Sequence, residues 1–255
     1  MLLRAEDLSK RFGGVAALEA VDLVLERGAV HAVIGPNGAG KTTLLNILSG
    51  IYRPDGGEIL FEERKLTGRA PHEFAAAGIG RTFQNLQVFF NMTALENVMA
   101  GRWLHERCGL AGALARLPAL SRAERACRET ALALLDGVGL SRWAGERADS
   151  LPYGALKRLE IARALAAEPR LLLLDEPAAG LNAAETREVD ELIRGIAALG
   201  VTVVLVEHNM KLVMEVSQHV IVLDHGRKLA EGEPRVVSRD PRVIEAYLGS
   251  EACLT

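Results

Sequence analysis

The segment GPNGAGKT, residues 35–42, has the spacing G-x-x-x-x-G-K-[ST], and its residue types suit it to holding a chain of phosphates. Gly35, Gly38 and Gly40 let the backbone turn its N–H groups toward an anion at the start of a helix. Pro36, Asn37 and Ala39 complete the loop. Lys41 supplies a cation for β- and γ-phosphates, and the hydroxyl of Thr42 suits Mg²⁺. Context separates this loop from an ordinary glycine-rich turn. It follows AVHAVI, residues 29–34, which reads as a buried parallel strand, and it opens KTTLLNILSG, which reads as a helix.

Such a site also needs a carboxylate. LLLLDEP, residues 171–177, reads as a second buried strand. Asp175 ends it and therefore projects at the carboxyl edge of the sheet, where ligands of open α/β sheets bind. Asp175 is the expected metal carboxylate, and Glu176 can face a water attacking a γ-phosphate. VTVVLVEH, residues 201–208, delivers His208 to the same edge. Gln84, in GIGRTFQNL, follows a short apolar segment and by itself carries no meaning. LPYGALKRLEIARAL, residues 151–165, reads as a phosphate-recognition turn and helix, with Pro152 where a serine would serve. Leu156, Leu159, Ala162 and Leu165 recur at helical spacing, so a helix is expected to start just after Gly154, its N-terminus offering N–H groups and partial positive charge.

The intervening elements must position these groups. In LNAAETREVDELIRGIAALG, Asn182 can cap a helix with Glu185 as reciprocal partner. Val189, Leu192, Ile193, Ile196 and Leu199 form one apolar stripe, and Gly200 ends it. Strand, helix, strand in that order predicts a parallel α/β sheet. VIVLDHGRKLAEGEP predicts two short strands around Asp224-His225-Gly226, and the alternating N-terminal thirty residues predict antiparallel strands. Residues 85–150, rich in Ala, Arg and Leu, predict a helical insertion.

The bulk numbers narrow the setting. A length of 255 residues permits one large domain. A net charge of −3 gives no electrostatic reason to expect nucleic acid. Three cysteines, Cys108, Cys127 and Cys253, have no metal-like spacing and suggest reduced thiols in the cytoplasm. MLLRAEDLSKRF is too polar for a signal peptide. No apolar run approaches the roughly 20 residues of a membrane helix, so a soluble chain is expected, with any membrane role held through a partner.

The order of the motifs resembles the ATP-binding subunit of ABC transporters over essentially the whole chain. The resemblance implies that Gly35 through Thr43 are the Walker A loop, with Thr43 beside the Mg²⁺ ligand Thr42. It makes Gln84 the Q-loop glutamine, contacting Mg²⁺ and the attacking water. Asp175 and Glu176 become the Walker B aspartate and the catalytic glutamate, and His208 the switch histidine. Leu151 to Ala155 stand at the signature motif, residues 179–182 at the D-loop, and Phe12 would stack on adenine, unless it is a core residue at a strand end. RFGG, IGPNGAGKTT, RTFQNLQVF, YGALKRLEIARAL, LDEPAAGLN, EHNMKLVMEVS and VIEAYLG, with the long stretch WLHERCGLAGALARLPALSRAERACRE, resemble the LivG-type ATPases of bacterial branched-chain amino acid importers.

The implied fold is α/β: one P-loop domain over 1–255, with residues 1–84 and 166–255 forming the parallel core and an antiparallel β subdomain, and about 85–165 a helical subdomain. The implied cofactors are ATP and Mg²⁺. The implied partners are a second ATPase of LivF type or a second copy of the chain, two membrane permeases and, indirectly, a periplasmic binding protein, with no nucleic acid. The implied location is peripheral, on the cytoplasmic face of the inner membrane. In the implied mechanism two cassettes close head to tail over two ATP molecules, so Gly154 serves the ATP of the partner chain.

Two motifs depart from the family pattern: the signature, Leu151-Pro152-Tyr153-Gly154-Ala155 in place of L-S-G-G-Q, and the D-loop, which ends in Asn182 in place of aspartate. Other cargoes, urea and short amides or exported lipopolysaccharide, and a soluble assembly ATPase are the alternative readings. Of Phe83, Leu86, Val88, Phe89 and Phe90, most are expected in the core, while one or two of Phe89, Phe90 and Met92 are expected to line a groove for a permease helix.

Overall fold

Every residue of VHAVI is buried in β3 (Val30–Ile34), and the same holds for β7 (Leu171–Asp175) and β8 (Thr202–Val206). Strands covered on both faces read as continuous apolar runs, which is why these three were recognisable. In this computed structural model, which describes residues 1–103 and 118–251, they form the centre of a six-stranded sheet. Its order is β10-β9-β3-β8-β7-β6. β6 (Ile79–Arg81), β7, β8, β3 and β9 (His219–Asp224) run parallel. β10 (Arg227–Gly232) returns antiparallel to β9 through a two-residue turn. His225 and Gly226 take φ of 44° and 78° there, the left-handed pair that matches a hairpin to strand twist.

β1 (Leu3–Phe12) and β2 (Val15–Leu25) pair antiparallel, and with β4 (Gly56–Phe61) and β5 (Arg64–Lys65) make a second sheet of order β2-β1-β4-β5. α1 (Lys41–Leu48) shares one core with both sheets: Leu44, Leu45, Ile47 and Leu48 are buried with Leu3, Leu8, Leu23 and Phe61 on one side and Val33, Leu173 and Val204 on the other. The first residue of α1 is Lys41, so this packing fixes the height of the lysine above the sheet.

α2 (Pro71–Ala76) precedes β6, and α3 (Ala94–Gly101), α4 (Pro118–Gly137) and α5 (Tyr153–Leu165) gather around a separate core of Val98, Ala131, Leu135, Leu140, Leu159 and Ala162. Thr93 caps α3 reciprocally with Glu96. Cys127 is buried. Residues 104–117, part of the stretch matched to the LivG type, lie outside the described residues, as do Cys108 and Cys253. α6 (Ala183–Ala198) is capped as expected, Asn182 accepting from the N–H groups of Ala184 and Glu185 while Glu185 accepts from Asn182 N. Val189, Ile193 and Ile196 are buried, but Leu199 is 85% exposed. The stripe therefore stops at Ile196: Leu199 is the C-cap, past the last turn, where the chain curls away at Gly200 with φ 90°. α7 (Met210–Val216), α8 (Pro234–Val237) and α9 (Pro241–Glu251) complete the chain.

The segment after Gln84 differs from expectation. Val88 alone of its five apolar residues is buried and Leu86 is half-buried, while Phe83, Phe89 and Phe90 are exposed. Apolar composition signalled a core there, but these residues are in no helix or strand that could turn all of them inward. Phe83 and Phe89 instead line a surface groove of about 370 Å³ with Ile51, Ala75, Ala100 and Arg163. Phe90 and Met92 are not part of its lining.

Candidate active site

The loop after β3 can be made only with glycine at two positions. A Cβ at Gly35 would lie 2.1 Å from the Leu223 carbonyl oxygen, and one at Gly40 2.5 Å from that of Ala17. Gly40 also holds φ 102°, the left-handed conformation from which α1 starts. Lys41 then folds back over its own loop, its Nζ donating to the carbonyls of Gly35 at 2.7 Å and Pro36 at 2.8 Å. Burial lowers the pKa of Lys41, and the carboxylates of Glu176 and Asp175 oppose that effect. The result is a buried ammonium whose hydrogen bonds among the described residues go to two neutral carbonyls, so an anionic ligand can add a charge-assisted contact.

Above this lysine is a cavity of about 270 Å³. Asn37, Gly38, Ala39, Gly40, Lys41, Thr42 and Thr43 line one side, and Gln84, Glu176 and His208 the other, with Ala17. Residues up to 191 positions apart in the chain (17 to 208) thus meet at one sheet edge. Gly35 and Pro36 stand beneath Lys41 rather than in the lining. Replacing Lys41 with alanine should weaken triphosphate affinity about 10- to 100-fold, the loss of a charge-assisted contact. Titration calorimetry measures it, and unchanged affinity would remove the lysine from the site.

Glu176 is the first residue beyond β7 and takes φ 50°, left-handed for a residue with a Cβ. Its N–H donates to the Val206 carbonyl at 2.9 Å. That bend sends the side chain to His208, whose Nε2 lies 3.0 Å from Oε1, and to Gln84, whose Nε2 lies 3.4 Å from Oε2. Backbone strain of this kind gathers where a side chain must be aimed.

Asp175 is 2% exposed, and burial raises its pKa despite a nearby guanidinium. Oδ2 accepts from Arg81 Nη2 at 3.2 Å, while Oδ1 has no hydrogen-bond partner among the described residues. An orphaned buried carboxylate oxygen on the residue before Glu176, whose cavity Thr42 and Gln84 also line, is a hard donor of the kind that suits Mg²⁺. Arg81 was not picked out from the sequence, although a cation inside the apolar run GIGRTF signals a buried pair. It also donates to Asn46 Oδ1 at 2.7 Å and Ser49 Oγ at 2.8 Å, tying β6, α1 and β7 together. Lys157 was missed as well. Its buried ammonium approaches the carbonyls of Gln84 at 3.5 Å and Glu176 at 3.4 Å, linking α5 to both loops.

Asp175, Phe12 and the 151–155 turn are all absent from the cavity lining. Phe12 ends β1, is 45% exposed, and meets Tyr52 edge-to-face at 5.3 Å. It is not a core residue. The helix of the 151–155 turn begins at Tyr153, before Gly154 rather than after it, with Pro152 as N-cap at φ −58° and ψ 153°. Proline suits the start of a helix because the N–H it lacks is unpaired there anyway. Gly154 is buried, and a Cβ on it would lie 2.5 Å from Glu185 Oε1. A side chain at 154 would therefore displace the Glu185 carboxylate that accepts from Asn182 N on the cap of α6.

The ABC transporter family model matches residues 18–179, and the model described as branched-chain amino acid ATP-binding cassette transporter matches residues 227–253. The chain is similar to the high-affinity branched-chain amino acid transport ATP-binding proteins BraF of Pseudomonas aeruginosa and LivG of Escherichia coli. Identity is 44% and 42%, over 97% of this chain and 98% of each relative. Among solved structures it resembles a nucleotide-free ATP-binding cassette from an ABC transporter, with TM-score 0.84 and 32% identity over 96% of this chain and 98% of the other. The ADP conformation of MJ1267, an ATP-binding cassette of an ABC transporter, matches with the same score and identity over 97% and 98%.

Proposed function

This chain belongs to the ABC transporter family, in the group of the LivG and BraF ATP-binding proteins, and is an ATPase; from that premise we propose that it powers the uptake of branched-chain amino acids. The observation that supports the reading is the convergence of Lys41, Thr42, Gln84, Glu176 and His208 on one cavity, joined to full-length similarity with two amino acid transport ATPases. No helix among the described residues is long and apolar enough to cross a membrane; in this reading the membrane step belongs to partner permeases.

In this reading the loop N–H groups and Lys41 hold the β- and γ-phosphates. Thr42, Gln84 and Asp175 hold Mg²⁺, which when bound neutralises phosphate oxygens and orients them. Glu176 accepts a hydrogen bond from the attacking water and aligns it, and His208 moves its Nε2 from Glu176 to the γ-phosphate. Catalysis is then mainly positioning and charge stabilisation of an in-line attack. Phe12 stacks on adenine. Two cassettes close head to tail, so that Gly154 and the start of α5 face the ATP of a LivF-type partner, while the permeases dock at the groove of Phe83 and Phe89 on the cytoplasmic face of the inner membrane. A periplasmic binding protein delivers the cargo.

Disrupting the gene in its host and measuring uptake of labelled leucine, isoleucine and valine tests the cargo. Loss of all three supports the reading. Unchanged amino acid uptake with loss of urea or amide uptake replaces the cargo but keeps the ATPase.

Pro152 weakens the turn without abolishing it, because the helix terminus remains while one hydroxyl and one N–H are gone. Pro152→Ser in the assembled transporter should change hydrolysis at the partner site by up to about ten-fold, the worth of one hydrogen bond, and leave this chain's own site alone. Each site is isolated by a glutamate-to-glutamine change in the opposite cassette. Equal effects at both sites would contradict the head-to-tail arrangement. Gly154→Asp is a less clean test, since its side chain would also push Glu185 from the cap of α6.

A further inference from the structure

The carboxylate of Glu207 takes no part in the chemistry above, yet it is only 4% exposed, between the ends of β7 and β8. A buried carboxylate persists where its oxygens find donors, and this one finds them in two different loops. Oε1 accepts from Ala178 N at 2.9 Å. Oε2 accepts from His208 N at 3.1 Å and, at a longer 3.5 Å, from Asn209 N. Ala178 lies two residues beyond Glu176, and the His208 ring returns to the Glu176 carboxylate at 3.0 Å. A closed ring results: Glu176, the backbone to Ala178, the Glu207 carboxylate, the His208 backbone, the His208 ring, and Glu176 again. Beyond this ring, Asn209 caps α7 through Lys211 N and Leu212 N, anchoring the far side of the second loop. The remaining backbone link between the loops is Glu176 N to the Val206 carbonyl.

We propose that Glu207 is a positioning residue for ATP hydrolysis: its buried carboxylate clamps the backbone at Ala178 and His208 and so sets the separation of Glu176 and His208, without touching ATP. The inference rests on the reading of Glu176 and His208 as the groups facing the γ-phosphate. Glutamate is needed because both oxygens act as acceptors. An amide of the same shape has one acceptor and would turn an NH₂ toward a backbone N–H. Aspartate keeps the charge but is one methylene too short to span both loops.

The test uses the full-length chain and its Glu207→Gln and Glu207→Asp variants. Backbone amide exchange by NMR should accelerate at least about ten-fold at Ala178 or His208 in Glu207→Gln, and stay unchanged in β3 and α1, since the protection lost is one local hydrogen bond. ATP affinity should stay within about two-fold, while single-turnover hydrolysis at saturating ATP, at a chain concentration where the rate per chain no longer rises, falls about ten-fold. In a His208→Ala background the same Glu207→Gln change should alter hydrolysis less than about two-fold, because there is no ring left to position. If Glu207→Gln does not fold, Glu207→Asp is read the same way. Unchanged hydrolysis or unchanged amide exchange overturns the proposal, and so does an undiminished loss in the His208→Ala background, which would mean general destabilisation. Normal hydrolysis by both Glu176→Gln and His208→Ala would instead refute the site assignment itself, a result distinct from failure of the clamp.

Discussion

Glu176→Gln should retain Mg-ATP and hydrolyse it on the order of 10²- to 10⁴-fold more slowly, the range for losing a positioned proton acceptor. The amide keeps the shape, so the left-handed bend at Glu176, which depends on the Val206 carbonyl and not on the side chain, should survive. The amide loses the negative charge and the second acceptor. Oε1 now meets His208 Nε2 and Oε2 meets Gln84 Nε2. With Gln at 176, only one of those two partners can keep its acceptor. Affinity should change little, because Lys41 is held by the Gly35 and Pro36 carbonyls independently of Glu176. The measurement is a pair: ATP affinity by calorimetry and single-turnover phosphate release. A slow, tightly bound state that accumulates a two-chain complex in ATP is the expected outcome. Normal release with Glu176→Gln would move the water-activating role to another group, His208 first.

How much of this site was legible follows from how each residue is held. Asp175 ends β7, Glu176 and His208 follow β7 and β8, and Lys41 and Thr42 open the helix after β3; all three strands are largely apolar and have no exposed residue to blur the reading. A polar residue where such a run stops must face the ligand edge. The cap of α6 was legible because Asn182 and Glu185 satisfy a local rule. Leu199 was misread because periodicity continues in sequence after the helix has stopped. Phe89 lines a groove, as expected for one or two of Phe89, Phe90 and Met92, whereas the expectation that most of the segment is core fails because apolar type alone signals burial, while a segment without regular structure turns side chains to no fixed face. The helix expected to start just after Gly154 starts at Tyr153, two residues earlier, because the apolar spacing from Leu156 onward marks the helix body and not its first turn. Glu207 and Lys157 were hidden for a deeper reason. Their partners are backbone N–H and carbonyl groups in loops far away in sequence, and no spacing rule reports such contacts.

Arg81 belongs to the same hidden class, and its replacement carries the largest stability effect expected here. The Arg81 and Asp175 side chains are 6% and 2% exposed, so neither charge reaches water. Removing the guanidinium leaves an unpaired buried carboxylate, a change that costs about 3–5 kcal/mol where buried pairs have been broken. It also strips Asn46 Oδ1 and Ser49 Oγ of their donor, loosening α1 against β7. Arg81→Met should therefore unfold about 3–5 kcal/mol more easily in urea at neutral pH. The pH dependence fixes the cause. Burial already holds the pKa of Asp175 above its ordinary value in the fold. A carboxyl shifted upward contributes most below its unfolded value, where it is protonated in both states, and loses that contribution as pH rises through the folded value. Without Arg81 the folded value rises further, so the penalty should be greatest near neutrality and shrink toward acid pH. Asp175→Asn in the Arg81→Met background, which removes the stranded charge, should recover most of the stability while leaving ATP hydrolysis impaired. If the double variant is as unstable as Arg81→Met alone, the ion pair is not what holds β6 to β7, and the contacts of Arg81 to Asn46 and Ser49 on α1 account for the loss.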